Sequence, residues 1–159
     1  MNKPLLRGLY AITDERLMTE SDFLSKAEQA LLGGARLIQY RDKSTDTEKR
    51  LHQATALKQL CEQNSSLLII NDDIKLALTV QAHGVHLGKD DTSIDHARQQ
   101  LGENSIIGIS CYNQLDLALE AEKTGADYVA FGAFFPSPTK PDAHTASLEL
   151  LKSAKQQLQ

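Results

Sequence analysis

Short apolar runs alternate with longer amphipathic ones along this chain, and the pattern recurs six times. LRGLYAIT (Leu6–Thr13) precedes SDFLSKAEQALLGG, ARLIQYR (Ala35–Arg41) precedes TDTEKRLHQATALKQLCEQ, and SLLIIN (Ser66–Asn71) precedes DIKLALTVQ. GVHLG (Gly84–Gly88) then precedes SIDHARQQLG, IIGIS (Ile106–Ser110) precedes NQLDLALEAEKTG, and DYVAFGAFF (Asp127–Phe135) precedes ASLELLKSAKQQLQ. Each pair reads as a strand followed by a helix. The strands are nearly continuous apolar runs, which a parallel sheet covered on both faces requires. Ser21 and Asp22 are placed to cap the first helix, and Gly33-Gly34 or Gly125 to close helices through a left-handed residue.

Repeated βα units leave an open doubly wound sheet or a (βα)8 barrel. No GxGxxG follows the first strand and no GxxxxGK[ST] occurs, so the nucleotide-binding reasons for an open sheet are missing and barrel geometry is favoured. Six units are two fewer than a closed barrel, which takes roughly 200 residues or more. The 159 residues carry no linker or low-complexity break and read as one domain, 1–159.

A net charge of −4 offers no general field for a nucleic-acid backbone, so any basic anion site has to be a local cluster. Cys61 and Cys111 form no CxxC and have no His at metal-ligand spacing, which suggests neither zinc nor a disulfide framework. No window approaches a membrane span and the N-terminal apolar run is too short for a signal peptide, so the cytoplasm is the expected location.

Candidate chemistry gathers at the carboxyl ends of the strands, which meet on one face of such a fold. Strand two ends in Gln39-Tyr40-Arg41-Asp42-Lys43, where alternation puts Gln39, Arg41 and Lys43 on one side, a set suited to a polyanion. Strand three ends in Asn71-Asp72-Asp73, whose acids either cap the next helix or hold a hard cation. Strand four ends in Gly88-Lys89-Asp90-Asp91, so Asp72 with Asp90 or Asp91, beside Arg41 and Lys43, makes a Mg²⁺-diphosphate site. Ser110 ends strand five without the glycines of a nucleophile elbow and reads as a donor to a developing oxyanion. The sixth strand runs into Pro136-Ser137-Pro138-Thr139-Lys140, a stiffened loop offering two hydroxyls and an ammonium to the same face. His52, His83, His86, His96 and His144 read as structural or exposed.

Taken in order and spacing, QYRDK, LLIINDD, AHGVHLGKDD, GISCY and ADYVAFGAFFPSPTK resemble the thiamine phosphate synthase family over essentially the whole chain. The resemblance implies a (βα)8 barrel that joins hydroxymethylpyrimidine diphosphate to a thiazole phosphate, with Mg²⁺, releasing pyrophosphate. It implies that Gln39, Arg41, Lys43 and Asn71 hold the pyrimidine diphosphate and that Asp72 and Asp91 bind Mg²⁺. Ser110 would assist pyrophosphate departure, and Thr139 and Lys140, with Ser137 beside them, would contact phosphate; Ser110 and Lys140 are the catalytic candidates. The alternatives are a thiazole tautomerase of the same superfamily, or a non-catalytic ligand-binding relative that completes its barrel as a homo-oligomer.

The sequence departs from the family pattern in places. Ser137 stands where Thr is common, Tyr112 where His is frequent, and Lys89 where Gln is common. A seventh strand with a Gly-Gly turn and an eighth strand have no counterpart before Gln159, so a C-terminally incomplete barrel with exposed edges at strands one and six is expected.

Overall fold

The computed structural model describes residues 6–88, 90–135 and 145–158. Strands and helices alternate as β1 (Leu9–Ile12), α1 (Phe23–Leu32), β2 (Ala35–Tyr40), α2 (Thr47–Gln63), β3 (Leu67–Asn71) and α3 (Ile74–Thr79). They continue as β4 (Gly84–Leu87), α4 (Ile94–Leu101), β5 (Ile106–Tyr112), α5 (Leu115–Lys123), β6 (Tyr128–Phe131) and α6 (Leu148–Gln157). The six strands form one parallel sheet in chain order, β1 to β6. All six expected βα units are present.

The sheet curls. Five strand spacings would hold β1 and β6 about 24 Å apart in a flat sheet, yet the Tyr10 and Tyr128 hydroxyls, from those two strands, lie 2.7 Å apart. Their rings meet edge to face at 5.8 Å. The architecture is therefore an open-sided (βα) barrel rather than a doubly wound sheet.

Alternation along each strand sorts side chains into two layers. Outward residues such as Ile38, Tyr40, Leu68, Ile70, Val85, Leu87 and Ile107 pack with Leu57 and Cys61 of α2 and with Phe23 and Leu31 of α1. Each such fully buried aliphatic side chain contributes roughly 1.5–3 kcal/mol. Inward residues Leu37, Ile69 and Ile106 form a smaller cluster with Tyr10 and Tyr128. Helix α2 buries Gln53, Ala54, Leu57 and Cys61 at helical spacing, and its N-cap Asp46 accepts from the Lys49 amide at 2.9 Å.

Local features sharpen or depart from expectation in three places. Asp22 occupies the N-cap of α1 without a side-chain cap bond: its backbone, at φ −111° and ψ −1°, is not the extended one a capping residue uses, and its Oδ2 pairs with Lys26 at 2.7 Å. Left-handed closure falls on Gly34 and Gly125, at φ of 98° and 88°, while Gly33 stays at −72°. β6 stops at Phe131 instead of running to Phe135. After Gly132 donates the last bond to the Tyr112 carbonyl, at 2.9 Å, Ala133 turns to accept from the Ala146 amide and Phe135 is left exposed. As expected of edges, β1 and β6 each pair on one side only, and Leu9 and Ile12 of β1 are exposed.

Candidate active site

The carboxyl ends of the strands carry the polar residues, and the inner layer turns polar just below them. Gln39 is buried and donates from Nε2 to the Tyr10 hydroxyl at 3.0 Å. Tyr10 meets Tyr128 at 2.7 Å, Tyr128 meets His86 Nδ1 at 3.0 Å, and His86 Nε2 meets Ser110 Oγ at 2.9 Å. Only the Gln39 amide has a fixed direction, as donor to Tyr10; if both phenols donate onward and His86 carries its proton on Nε2, the same direction runs through to Ser110 and leaves the Ser110 proton for a ligand at the barrel mouth. Burial pushes both tyrosines above the ordinary phenol range, so both remain protonated donors.

His86 is therefore the residue that reading the histidines as structural passes over. His83 does fit that reading, since its Nδ1 accepts from the Leu68 amide at 2.9 Å. His86 differs by alternation alone: Val85 and Leu87 point outward, so the imidazole between them faces the barrel interior. His86→Phe removes the partner of Ser110 while keeping an apolar ring of comparable bulk. It is expected to lower kcat about tenfold, the worth of one lost hydrogen bond, with little change in KM, in steady-state kinetics.

At the rim, Lys43 pairs with Asp72, and Asn71 Nδ2 donates to the same carboxylate oxygen at 2.6 Å. Asp72 has φ of 63°, a left-handed backbone that non-glycine residues seldom adopt. That turn separates the two acids after β3. Asp73 caps α3, accepting from the Leu76 amide at 2.9 Å, while Asp72 faces Lys43. Of the two acids Asp73 is therefore the cap, and Asp72 is left to pair with Lys43.

Asp91 accepts from the Gly88 amide at 2.7 Å. Burial raises its carboxyl above the ordinary range, and the nearby Asp72 carboxylate adds to the rise. Two carboxylates brought this close supply oxygen ligands of the kind a hard cation takes, with Asp72 Oδ2 shared with Lys43 and Asn71, and water and a phosphate-bearing substrate would complete the shell. Among the described residues no cluster of three or more His, Cys, Asp or Glu is placed to hold a metal, so the protein's share would be this pair. Tyr112 stands at the same spot: a methyl group on Gly88 would lie 3.1 Å from Asp91 Oδ2 and 3.5 Å from the Tyr112 hydroxyl.

Arg41 is held at the end of β2 by Thr13, whose Oγ1 accepts from the Arg41 amide at 2.8 Å, and its guanidinium lies 4.0 Å from Glu15. A cavity of about 390 Å³ opens between the β2 and β3 ends, lined by Lys43, Arg50, Asn71, Asp72, Asp73 and Thr92. Gln39 and Ser110 thus share one hydrogen-bonded layer, Lys43, Asn71 and Asp72 share one cluster, and Asp91 adjoins that cluster. Ser137, Thr139 and Lys140 lie outside the described residues.

A parallel (βα) barrel with cations, amides and acids gathered at its strand carboxyl ends has the layout of a (βα)-barrel enzyme, whose active site lies on that face. The family described as thiamine monophosphate synthase matches residues 9–159, and the chain belongs to that family. It is 54% identical over 153 residues to a thiamine-phosphate synthase of Thioalkalivibrio sulfidiphilus, covering 96% of this chain and 72% of that protein. A thiamine-phosphate synthase of Nitrosococcus oceani is likewise 54% identical, with 96% and 70% covered. Among solved structures, a thiamine phosphate pyrophosphorylase from Pyrococcus furiosus superposes with a TM-score of 0.83 at 39% identity, over 94% of this chain and 70% of that one. No described helix is long and apolar enough to cross a membrane.

Proposed function

We propose that this chain acts as a thiamine-phosphate synthase, a transferase joining hydroxymethylpyrimidine diphosphate to hydroxyethylthiazole phosphate. In this reaction the bond from the pyrimidine methylene carbon to the diphosphate oxygen breaks, and its electron pair leaves with pyrophosphate. The thiazole nitrogen supplies the pair for the new C–N bond, giving thiamine phosphate. The energetic demand is to stabilise a leaving diphosphate, and preorganised cations and hydrogen-bond donors do that well.

The observation that carries the reading is the pair of polar groups at the strand ends, the bonded chain from Gln39 to Ser110 and the rim cluster of Lys43, Asn71, Asp72 and Asp91. Gln39 and Asn71 orient the pyrimidine diphosphate, and Arg41 and Lys43 receive its phosphates. Ser110, fed by His86, gives its proton to an oxygen of the departing diphosphate as a hydrogen bond. Asp72 and Asp91 would hold Mg²⁺, which when bound supplies charge neutralisation for the diphosphate. Phosphate contacts from Ser137, Thr139 and Lys140 rest on the family resemblance.

The test is product formation by the 159-residue protein given both substrates and Mg²⁺, followed chromatographically, with circular dichroism establishing that it is folded. Thiamine phosphate should accumulate and should stop on chelation with EDTA. A folded protein yielding no thiamine phosphate contradicts the proposal.

A further inference from the structure

Two adjacent residues in the first turn of α2 reach back to the site from outside the barrel. Lys49 Nζ donates to Asp42 Oδ2 at 2.8 Å, and Arg50 Nη2 donates to Asp73 Oδ2 at 2.8 Å. Asp42 sits between the two site cations, Arg41 and Lys43, and Asp73 directly follows Asp72. We infer that Lys49 and Arg50 are positioning residues for the anion site: each clamps an acid that neighbours a site residue, so that one rigid helix fixes the β2 and β3 loops against each other.

The need for a clamp follows from where the ladder ends. β2 pairs with β3 only as far as Tyr40, so sheet hydrogen bonds do not impose the in-out alternation on Arg41, Asp42 and Lys43. Thr13 holds the Arg41 backbone from the β1 side, and Asp42 anchors the segment that follows. The Asp42 side chain is only 2% exposed, with one oxygen on Lys49 and the other accepting from the Ser44 amide at 2.7 Å. Burial opposes its charge, but the bonds from Lys49 and Ser44 outweigh burial and hold the carboxyl below its ordinary range; in return Asp42 raises Lys49. An apolar residue would fill this place at less desolvation cost, whereas a charged pair also sets direction.

The second clamp repeats the first. Asp73 uses one oxygen to cap α3 and gives the other to Arg50, so the left-handed turn at Asp72 is anchored immediately after it. Because Lys49 and Arg50 are consecutive on one helix, the Lys43 loop and the Asp72 loop cannot drift apart independently. The cavity between them is lined by both clamped acids and by Arg50.

This inference rests on the diphosphate reading of the site, and a binding experiment separates the two. Inorganic pyrophosphate with Mg²⁺ is titrated calorimetrically into the folded wild type, Lys49→Met, Lys49→Arg, Arg50→Met and Lys43→Ala, and thermal unfolding is recorded for each. Lys49→Met and Arg50→Met should each weaken binding about tenfold, in the range seen when outer residues that orient ligands are lost, and Lys49→Arg should recover most of it. In a Lys43→Ala background the Lys49→Met effect should shrink markedly, since a positioning residue acts through the group it positions. If Lys49→Met does not fold, Asp42→Asn replaces it and should show the same loss. Wild-type affinity in both Lys49→Met and Arg50→Met, or a Lys49→Met loss that is undiminished without Lys43, overturns the inference and leaves the function standing. A folded wild type that does not bind pyrophosphate removes both.

Discussion

Asp72→Asn is expected to lower thiamine phosphate formation on the order of 10²- to 10³-fold, comparable with the loss of one oxyanion-hole donor, because the Mg²⁺ this carboxylate would hold is what neutralises the diphosphate, while leaving the fold intact. Asparagine tolerates the left-handed backbone that Asp72 adopts at φ of 63°, so the turn after β3 persists. What disappears is the negative charge that Lys43 and Asn71 converge on and that faces Asp91. With only Asp91 left, added Mg²⁺ should not restore turnover. Steady-state assays across a Mg²⁺ series, with circular dichroism alongside, decide the matter: near-wild-type activity in a folded Asp72→Asn protein would mean that this carboxylate is only a partner for Lys43.

Gly108→Ala is expected to be the most damaging small substitution in the inner layer. A methyl group there would lie 2.0 Å from Tyr128 Cζ and 2.4 Å from its hydroxyl. The ring cannot easily give way, because it stacks on His86 at 5.6 Å and its hydroxyl is bonded to both Tyr10 and His86. Overpacking of this kind costs about 3 kcal/mol or more, which for a chain of this size lowers Tm by roughly 6–12 °C. Adding Tyr128→Ala should relieve much of the clash, so the double variant should be more stable than the sum of the single effects allows. An unchanged Tm for Gly108→Ala would contradict the placement of Tyr128 across β5.

Much of this was legible in the chain because strands and helices announce themselves locally. Runs such as SLLIIN and IIGIS fall on β3 and β5 nearly residue for residue. The acids and cations directly after β2 and β3 were found because a charge abutting so apolar a run has few structural uses. What local pattern could not supply is any contact across the barrel. Tyr10 and Tyr128 are ordinary strand aromatics 118 residues apart, and only the curl of the sheet joins them and makes His86 and Ser110 part of one polar chain. The outer clamps were hidden for a related reason: nothing local to the helix that carries Lys49 and Arg50 marks Asp42 and Asp73 as their partners. Where β6 ends was likewise invisible in FGAFF, since the pairing of Ala133 with Ala146 competes with the ladder and is non-local.

The claim at the centre of this account is that the strand ends of β2 to β5 form a diphosphate site. Calorimetric titration of hydroxymethylpyrimidine diphosphate into the folded wild-type protein, with and without Mg²⁺, tests it most directly. The account predicts one-to-one binding that requires Mg²⁺ and is lost in Arg41→Ala. Absence of binding by the folded wild type, or equal binding by Arg41→Ala, would contradict it.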